Sequence, residues 1–230
     1  MSWKNAQILE SEFWESMARG QASPPGLLEH LGDLASALNF VNLDKLSADA
    51  NKLLEIGIGP LGIGSAAMHF PTLEIIGLDP LPKLSFTVRD SLLDQYVQQL
   101  IGRVQYVQSP GEKLPFDDGE FDIVVSSNCI DHCKFPMLIL EEAVRVLRLG
   151  GAFLLTVNTF SQIGRTKFEL ERRFRPMTVH SMHPWSFTHS QILTMVAALG
   201  LEVISHQGYK NSLVGRMRLS RFFLVKKQAF

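Results

Sequence analysis

From residue 51 onward, short apolar runs alternate with longer stretches of helical spacing. The runs Lys52–Ile58 (KLLEIGI), Leu73–Leu78 (LEIIGL), Val104–Gln108, Phe121–Ser126 (FDIVVS) and Ala152–Val157 (AFLLTV) are rich in Ile, Val and Leu and nearly continuous. Continuous rather than alternating runs mark strands covered on both faces, as in a parallel sheet. Between them Ile63–His69, Lys83–Leu100 and Pro136–Leu147 read as helices. In the last, Met137, Leu140, Val144 and Leu147 recur at helical spacing, and Gly150–Gly151 supplies the stop. A helix over Ser190–Leu199, a strand over Leu201–Ser205 and a final strand around Arg221–Val225 follow. Repeated βα units of this length imply right-handed crossovers and an open, doubly wound α/β sheet.

Two regions break the rhythm. Residues 1–50 carry helical patterns and no strand, which predicts a helical cap; Trp3, Ile8, Phe13, Trp14 and Met17 form an aromatic-rich stripe in it. That stripe reads equally as plain core or as a lid over a pocket. Residues 159–187 are too long to be filler between core elements. The chain is thus read as one domain. It comprises a cap (1–50), a core (51–158), an insertion (159–187) and a C-terminal helix with strands (188–230).

Length and charge agree with that organisation. At about 150 residues per domain, 230 residues make one roomy domain, and 46% apolar residues can fill its core. The formal net charge of −1 argues against nucleic-acid binding by bulk electrostatics. The two cysteines, Cys129 and Cys133, fit a reducing compartment. The N-terminus shows no secretory pattern. The uncharged stretch worth testing as a membrane span, Ile56–Leu73, is broken by four glycines and two prolines, as a loop would be and a membrane span would not. A cytoplasmic protein without a membrane partner is expected.

The most informative stretch is LLEIGIGPLG, Leu53–Gly62, which ends a strand and opens a helix with glycines at 57, 59 and 62. Glycines there permit a tight turn and close approach of a ligand to the backbone. Asp79 ends the second strand twenty-two residues after Gly57, where an acid can accept from both hydroxyls of an adenosine ribose. As a bland alternative, Asp79 merely caps the turn at Leu81–Pro82.

LLEIGIGPLG, IIGLDP, GEKLPFDDGEFDIVVSSNCIDH and EEAVRVLRLGGAFLLTVN, in that order, resemble class I S-adenosylmethionine-dependent methyltransferases, within them the small-molecule group called type 11. The resemblance covers residues 50–160 and extends loosely to 205. It implies a Rossmann-like, mostly parallel seven-stranded sheet with the last strand antiparallel, and S-adenosylmethionine as cofactor. It further implies that Glu55 and Gly57 lie beside the methionine portion, that Gly59 and Gly62 shape the loop, and that Asp79 holds the ribose. Leu81 would pack on the adenine, Gly111 and Glu112 would lie at its edge, and Asn128 would approach the methionine carboxyl or the transfer centre. Pro110 departs from the pattern, since relatives commonly carry there an Asp that accepts from the adenine amino group. Glu112 or a backbone carbonyl would have to substitute, or adenine is held more loosely.

Methyl transfer requires alignment, exclusion of water and, for a hydroxyl, removal of a proton. Asp131 and His132, just past the fourth strand, are candidate bases by position. Their bland alternative is a polar pair capping the next helix. His183 is a third candidate, within a cluster of His180, His183, Pro184, Trp185 and His189; Trp185 would supply a flat wall for the substrate, and Trp14 another from the cap. Arg165, Lys167, Arg172, Arg173 and Arg175 outnumber Glu169 and Glu171 in the insertion. A solvated face with i,i+4 pairs is the usual reason; Arg173 binding an anionic group on the substrate is the sharper one. The basic excess of the C-terminal stretch, Tyr209–Phe230, reads as edge protection. No metal-ligand spacing of the H-E-x-x-H or C-x-x-C kind is present, so no metal is expected.

The function these features predict is S-adenosylmethionine-dependent methylation of a small molecule, at the oxygen of a hydroxyl or carboxyl group. The oxygen assignment rests on the histidines and on SSNCIDH standing where an amine-binding N-P-P-Y-like motif would be. A nicotinamide-dependent reductase and a catalytically silent methyltransferase-like subunit are the alternatives.

Overall fold

A computed structural model describes residues 3–19, 24–174, 182–208 and 218–226. Three helices come first: α1 (Trp3–Ala18), α2 (Pro24–Ala37) and α3 (Leu43–Ser47). The core then alternates β1 (Lys52–Ile56), α4 (Ser65–His69), β2 (Glu74–Asp79), α5 (Ser91–Gly102), β3 (Val104–Gln108), β4 (Phe121–Ser127), α6 (Pro136–Val146) and β5 (Leu147–Phe160). It closes with α7 (Gln162–Phe174), β6 (Phe187–Thr188), α8 (His189–Ala198), β7 (Leu201–Gln207) and β8 (Arg218–Lys226).

The strands form one sheet in the order β3-β2-β1-β4-β5-β8-β7, with β6 pairing β5. β1 to β5 pair in parallel, while β8 runs antiparallel to both β5 and β7. The strand order reverses between β1 and β4, and in open α/β sheets ligands settle beyond the strand ends at such a switch. The apolar runs work as their continuity implied: Leu53, Leu54 and Ile56 are all buried, and so are Ile123, Val124 and Val125. Two apolar clusters sandwich the sheet. One gathers α6 and α8 against β4 and β5, and the other gathers the N-terminal helices with α4 and α5.

Three expectations are corrected. The helix expected from Lys83 starts at Ser91, because Asp90 accepts from the Leu92 and Leu93 amides as its N-cap; the chain before it is held to the glycine loop by Leu84 N–H donating to Pro60 O at 2.8 Å. The last parallel strand begins at Leu147 rather than Ala152, since Leu147 already pairs Phe121. The two-residue β6 adds an eighth strand to the seven expected. It fixes where the insertion rejoins the sheet.

Gly77 in β2 is buried without room for a side chain; a Cβ there would collide with Ile58 and lie 2.8 Å from Val104 Cγ1. Gly77→Ala should therefore destabilise the protein by about 1–3 kcal/mol in chemical denaturation, with an unchanged midpoint contradicting this packing.

Candidate active site

The turn after β1 is the scaffold of the site. Gly57 (φ 75°) and Gly59 (φ 79°) hold left-handed backbone conformations that disfavour a side chain. Gly57 N–H donates to Leu78 O at 2.8 Å, and Cys129 packs where a Cβ at 57 would stand. Asp79 then fastens the turn: its Oδ2 accepts from Gly59 N and its Oδ1 from Leu81 N, each at 2.9 Å. The capping role foreseen for Asp79 is thus present, and each oxygen still has a lone pair for a further donor. Gly62 shapes the turn against Lys83 and Tyr106.

Glu55 is spent differently from the expectation. It is 1% exposed, and its Oε1 accepts from the Ser65 amide and hydroxyl while Oε2 accepts from the Ala66 amide. Burial pushes its carboxyl up against those bonds. A carboxylate at a helix start satisfies orphan amides and the helix dipole. Glu55 therefore positions the loop by capping α4. Glu112 is likewise engaged, with Oε1 accepting from the Lys134 and Phe135 amides at 3.2 and 3.3 Å.

Glu55, Gly57, Gly59 and Glu112 border a cavity of about 960 Å3 at the strand ends, lined also by Asp79, Leu81, Pro110, Gly111 and Asn128; Gly62 does not line it. Asn128 ends β4 with φ 51°, rare outside glycine. It is held there by its N–H donating to Thr156 O at 2.9 Å and its Oδ1 accepting from Asn158 Nδ2 at 2.6 Å. Helix α1 roofs the cavity with Trp3, Gln7, Glu10, Phe13 and Trp14. The stripe is thus a cover as well as core. Trp14 faces the glycine turn, 3.2 Å from a Cβ built at Gly59, and meets the His30 ring edge-on at 5.3 Å.

The three acid–base candidates lie together beside the same cavity. His183 Nδ1 and Asp131 Oδ2 are 2.9 Å apart, with side chains only 8% and 2% exposed. Burial alone would raise the Asp131 carboxyl; His132 and His183 outweigh it and hold the group below the usual range. The His132 and His183 rings lie 4.2 Å apart, and both residues line the cavity. One ligand atom from each of Asp131, His132 and His183 falls within 4.8 Å of the others. Such a set suits a divalent metal by donor type; the Asp131–His183 hydrogen bond uses Oδ2 and Nδ1, while Asp131 Oδ1 and His132 Nδ1 are buried without a hydrogen-bond partner.

Several candidates lie elsewhere. Trp185 is not a cavity wall: its N–H donates to Asp131 O and its Nε1–H to Cys133 O, at 3.3 and 2.8 Å, so it clamps the His183 segment onto the loop after β4. Arg173 is exposed in the last turn of α7 and does not line the cavity. The neighbouring Arg172 instead donates to His183 O at 2.8 Å. Arg165 pairs Glu169 at 2.9 Å and Lys167 pairs Glu171 at 3.9 Å, the i,i+4 arrangement. His189 belongs to another cluster, with Ser220 and His206. His180 and Arg175 lie outside the described residues, as does most of Tyr209–Phe230.

Glu10 was not anticipated. It lines the cavity within 3.7 Å of His132 Nδ1, and burial pushes its carboxyl up to about 7. The signal was present: Trp3, Gln7, Glu10, Trp14 and Met17 follow helical spacing, so an acid interrupts the apolar stripe.

Residues 54–155 match the family model described as "Methyltransferase domain". Over this stretch the protein is similar to a methyltransferase domain. Its chain is 36% identical over 107 residues to the ubiquinone/menaquinone biosynthesis C-methyltransferase UbiE of Ectopseudomonas mendocina, a match covering 46% of this chain and 41% of that protein. The match spans less than half the length of that curated relative. Among solved structures, the Burkholderia thailandensis 1,6-didemethyltoxoflavin-N1-methyltransferase, solved with its substrate and S-adenosylhomocysteine, superposes with a TM-score of 0.61 at 16% identity, covering 98% of this chain and 90% of that one. The [4+2]-cyclase SpnF does so at 0.56 and 15% identity, over 81% and 80%. A methyltransferase domain and a cyclase thus share one architecture, so the reaction has to be argued from the site. Among the described residues no helix is long and apolar enough to cross a membrane.

The buried acids set a pH dependence. Burial raises Glu10 from 4.5 and Asp79 from 3.8, both to about 7. The folded state then keeps protons that the unfolded chain has released, so these groups stabilise fully only below their unfolded pKa values. That contribution fades as pH rises through about 7. In the ligand-free protein, the Tm of wild type relative to a Glu10→Gln/Asp79→Asn variant should fall between about pH 5 and about pH 8; a constant difference would contradict the burial argument.

Proposed function

We propose that this domain methylates a hydroxyl of a small, uncharged molecule, using S-adenosylmethionine. The observation that carries the reading is the buried His183–Asp131 pair, whose His183 lines the same cavity as Gly57 and Gly59. The residues suit the cofactor. Gly57 and Gly59 leave the backbone open to close approach, Asp79 keeps lone pairs for the ribose hydroxyls, and Leu81, Pro110 and Gly111 offer an apolar edge to the adenine. Pro110 has no side-chain acceptor and Glu112 already holds two amides, so adenine selectivity rests on shape. Asn128, fixed in a strained conformation, is placed to meet the methionine end.

When bound, the sulfonium supplies an electrophilic methyl group; the acceptor oxygen gains it as the carbon–sulfur bond breaks, and its electron pair stays on sulfur. The chain's part is acid–base and positional. Asp131, held ionised, accepts from His183 Nδ1–H and fixes the tautomer that leaves Nε2 free to accept the acceptor's hydroxyl proton. His132 packs against that imidazole, and α1 excludes water from above. The charged side chains lining the cavity are mostly acidic, among them Glu10, Glu29, Asp33 and Asp79, with Lys134 opposing them. That balance disfavours a carboxylate or phosphate on the acceptor, and among the described residues Arg173 does not line the cavity.

A second reading has its own support in the likeness to a C-methyltransferase. The acceptor would then be an activated ring carbon, with His183 taking the proton that leaves it.

Calorimetry tests the cofactor assignment directly. The wild-type chain should bind S-adenosylmethionine and S-adenosylhomocysteine, and Asp79→Ala should weaken both by about tenfold or more. Absence of binding by the wild type, or unchanged affinity in the variant, would overturn it.

A further inference from the structure

Glu10 presents a carboxyl group, ionised above about pH 7, to a cavity that, on the function proposed above, must admit a cation. Its Oε2 accepts from Gln7 Nε2 at 2.9 Å, and the Trp14 side chain also hydrogen-bonds it. His132 Nδ1 stands 3.7 Å from Oε1, beyond hydrogen-bonding distance. Both of these hydrogen-bonding neighbours are neutral; the groups near it that can carry positive charge are the imidazoles of His132, at 3.7 Å, and His183, and neither is a permanent cation. A carboxylate in that position gains from any positive charge brought beside it.

Its location identifies which charge. Glu10 acts electrostatically on Asp79, at the nucleotide end of the cavity, and interacts with His183 and Asp131 at the other. In-line transfer requires the methyl group to lie between the donor sulfur and an acceptor oxygen within reach of His183. The sulfur therefore falls in the span between Asp79 and His183, which Glu10 borders from the roof.

We infer that Glu10 recognises the positive charge of the sulfonium, so that the site holds S-adenosylmethionine in preference to its neutral-sulfur product. The attraction ends when the methyl group leaves, because the sulfur becomes a neutral thioether. Glu10 thus favours substrate entry and product release at some cost to the barrier, since it stabilises charge that the transition state is losing. It also links α1 to occupancy, because the residue that senses the charge belongs to the roof.

Calorimetric titration of the full chain with S-adenosylmethionine and, separately, S-adenosylhomocysteine tests this. Wild type should bind the sulfonium more tightly. Glu10→Gln should lose about tenfold in affinity for S-adenosylmethionine and keep its affinity for S-adenosylhomocysteine, which makes the second ligand a control for folding and for docking of α1. Equal losses for both ligands in Glu10→Gln would reduce Glu10 to a docking residue and overturn the inference, as would an unchanged ratio. A wild-type chain that binds neither ligand would instead bring down the function proposed above, and this inference with it.

Discussion

A carboxylate taken almost wholly out of water is tolerated only when something pairs it. Asp131 is 2% exposed, and His183, fifty-two residues further along the chain, is the partner that compensates it. The arrangement of the insertion follows from that one contact. Trp185 pins the same segment to the backbone of Asp131 and Cys133, Arg172 holds the His183 carbonyl from α7, and β6 rejoins the sheet beside β5. The long connection after β5 is thus a means of bringing an imidazole to the end of β4. There it lines the same cavity as the glycine turn.

The glycine turn obeys the same rule with different partners. Glu55 and Asp79 are both buried acids, and both are compensated by backbone amides rather than by cations. The bonds shape the turn after β1, and they leave Asp79 able to accept more. Glu10, half-buried in the roof, differs: its hydrogen-bond donors are neutral side chains and His132 stands 3.7 Å away, which makes it informative about charge in the cavity.

What could be read from residue order was what depends on near neighbours. The continuous apolar runs, Gly57 and Gly59, and Asp79 at the end of β2 are local features, and each lies where its pattern placed it. The start of α5 was legible too, since Asp90 is a good N-cap, but the apolar periodicity reached back to Lys83 and masked it. Contacts across the fold were not legible. Nothing local says that Glu55 will cap a helix ten residues on, that Asp131 will meet His183, or that Arg172 rather than Arg173 will turn inward. Trp185 was assigned to the pocket on its chemistry as an aromatic. Its indole N–H and backbone N–H instead made it a clamp. Glu10 could have been found, because an acid inside an aromatic stripe is a local anomaly.

The central claim is that a base at His183, braced by Asp131, serves methyl transfer to oxygen in this cavity. Its most direct test is incubation of the pure protein with methyl-labelled S-adenosylmethionine and a fractionated extract, with mass spectrometry and carbon NMR on whatever gains the label. The account predicts one component carrying a single labelled methyl on oxygen, and a single-turnover rate for His183→Ala lower by about a hundredfold or more. Label on carbon or nitrogen, no labelled component at all, or a His183→Ala variant as fast as wild type would contradict it.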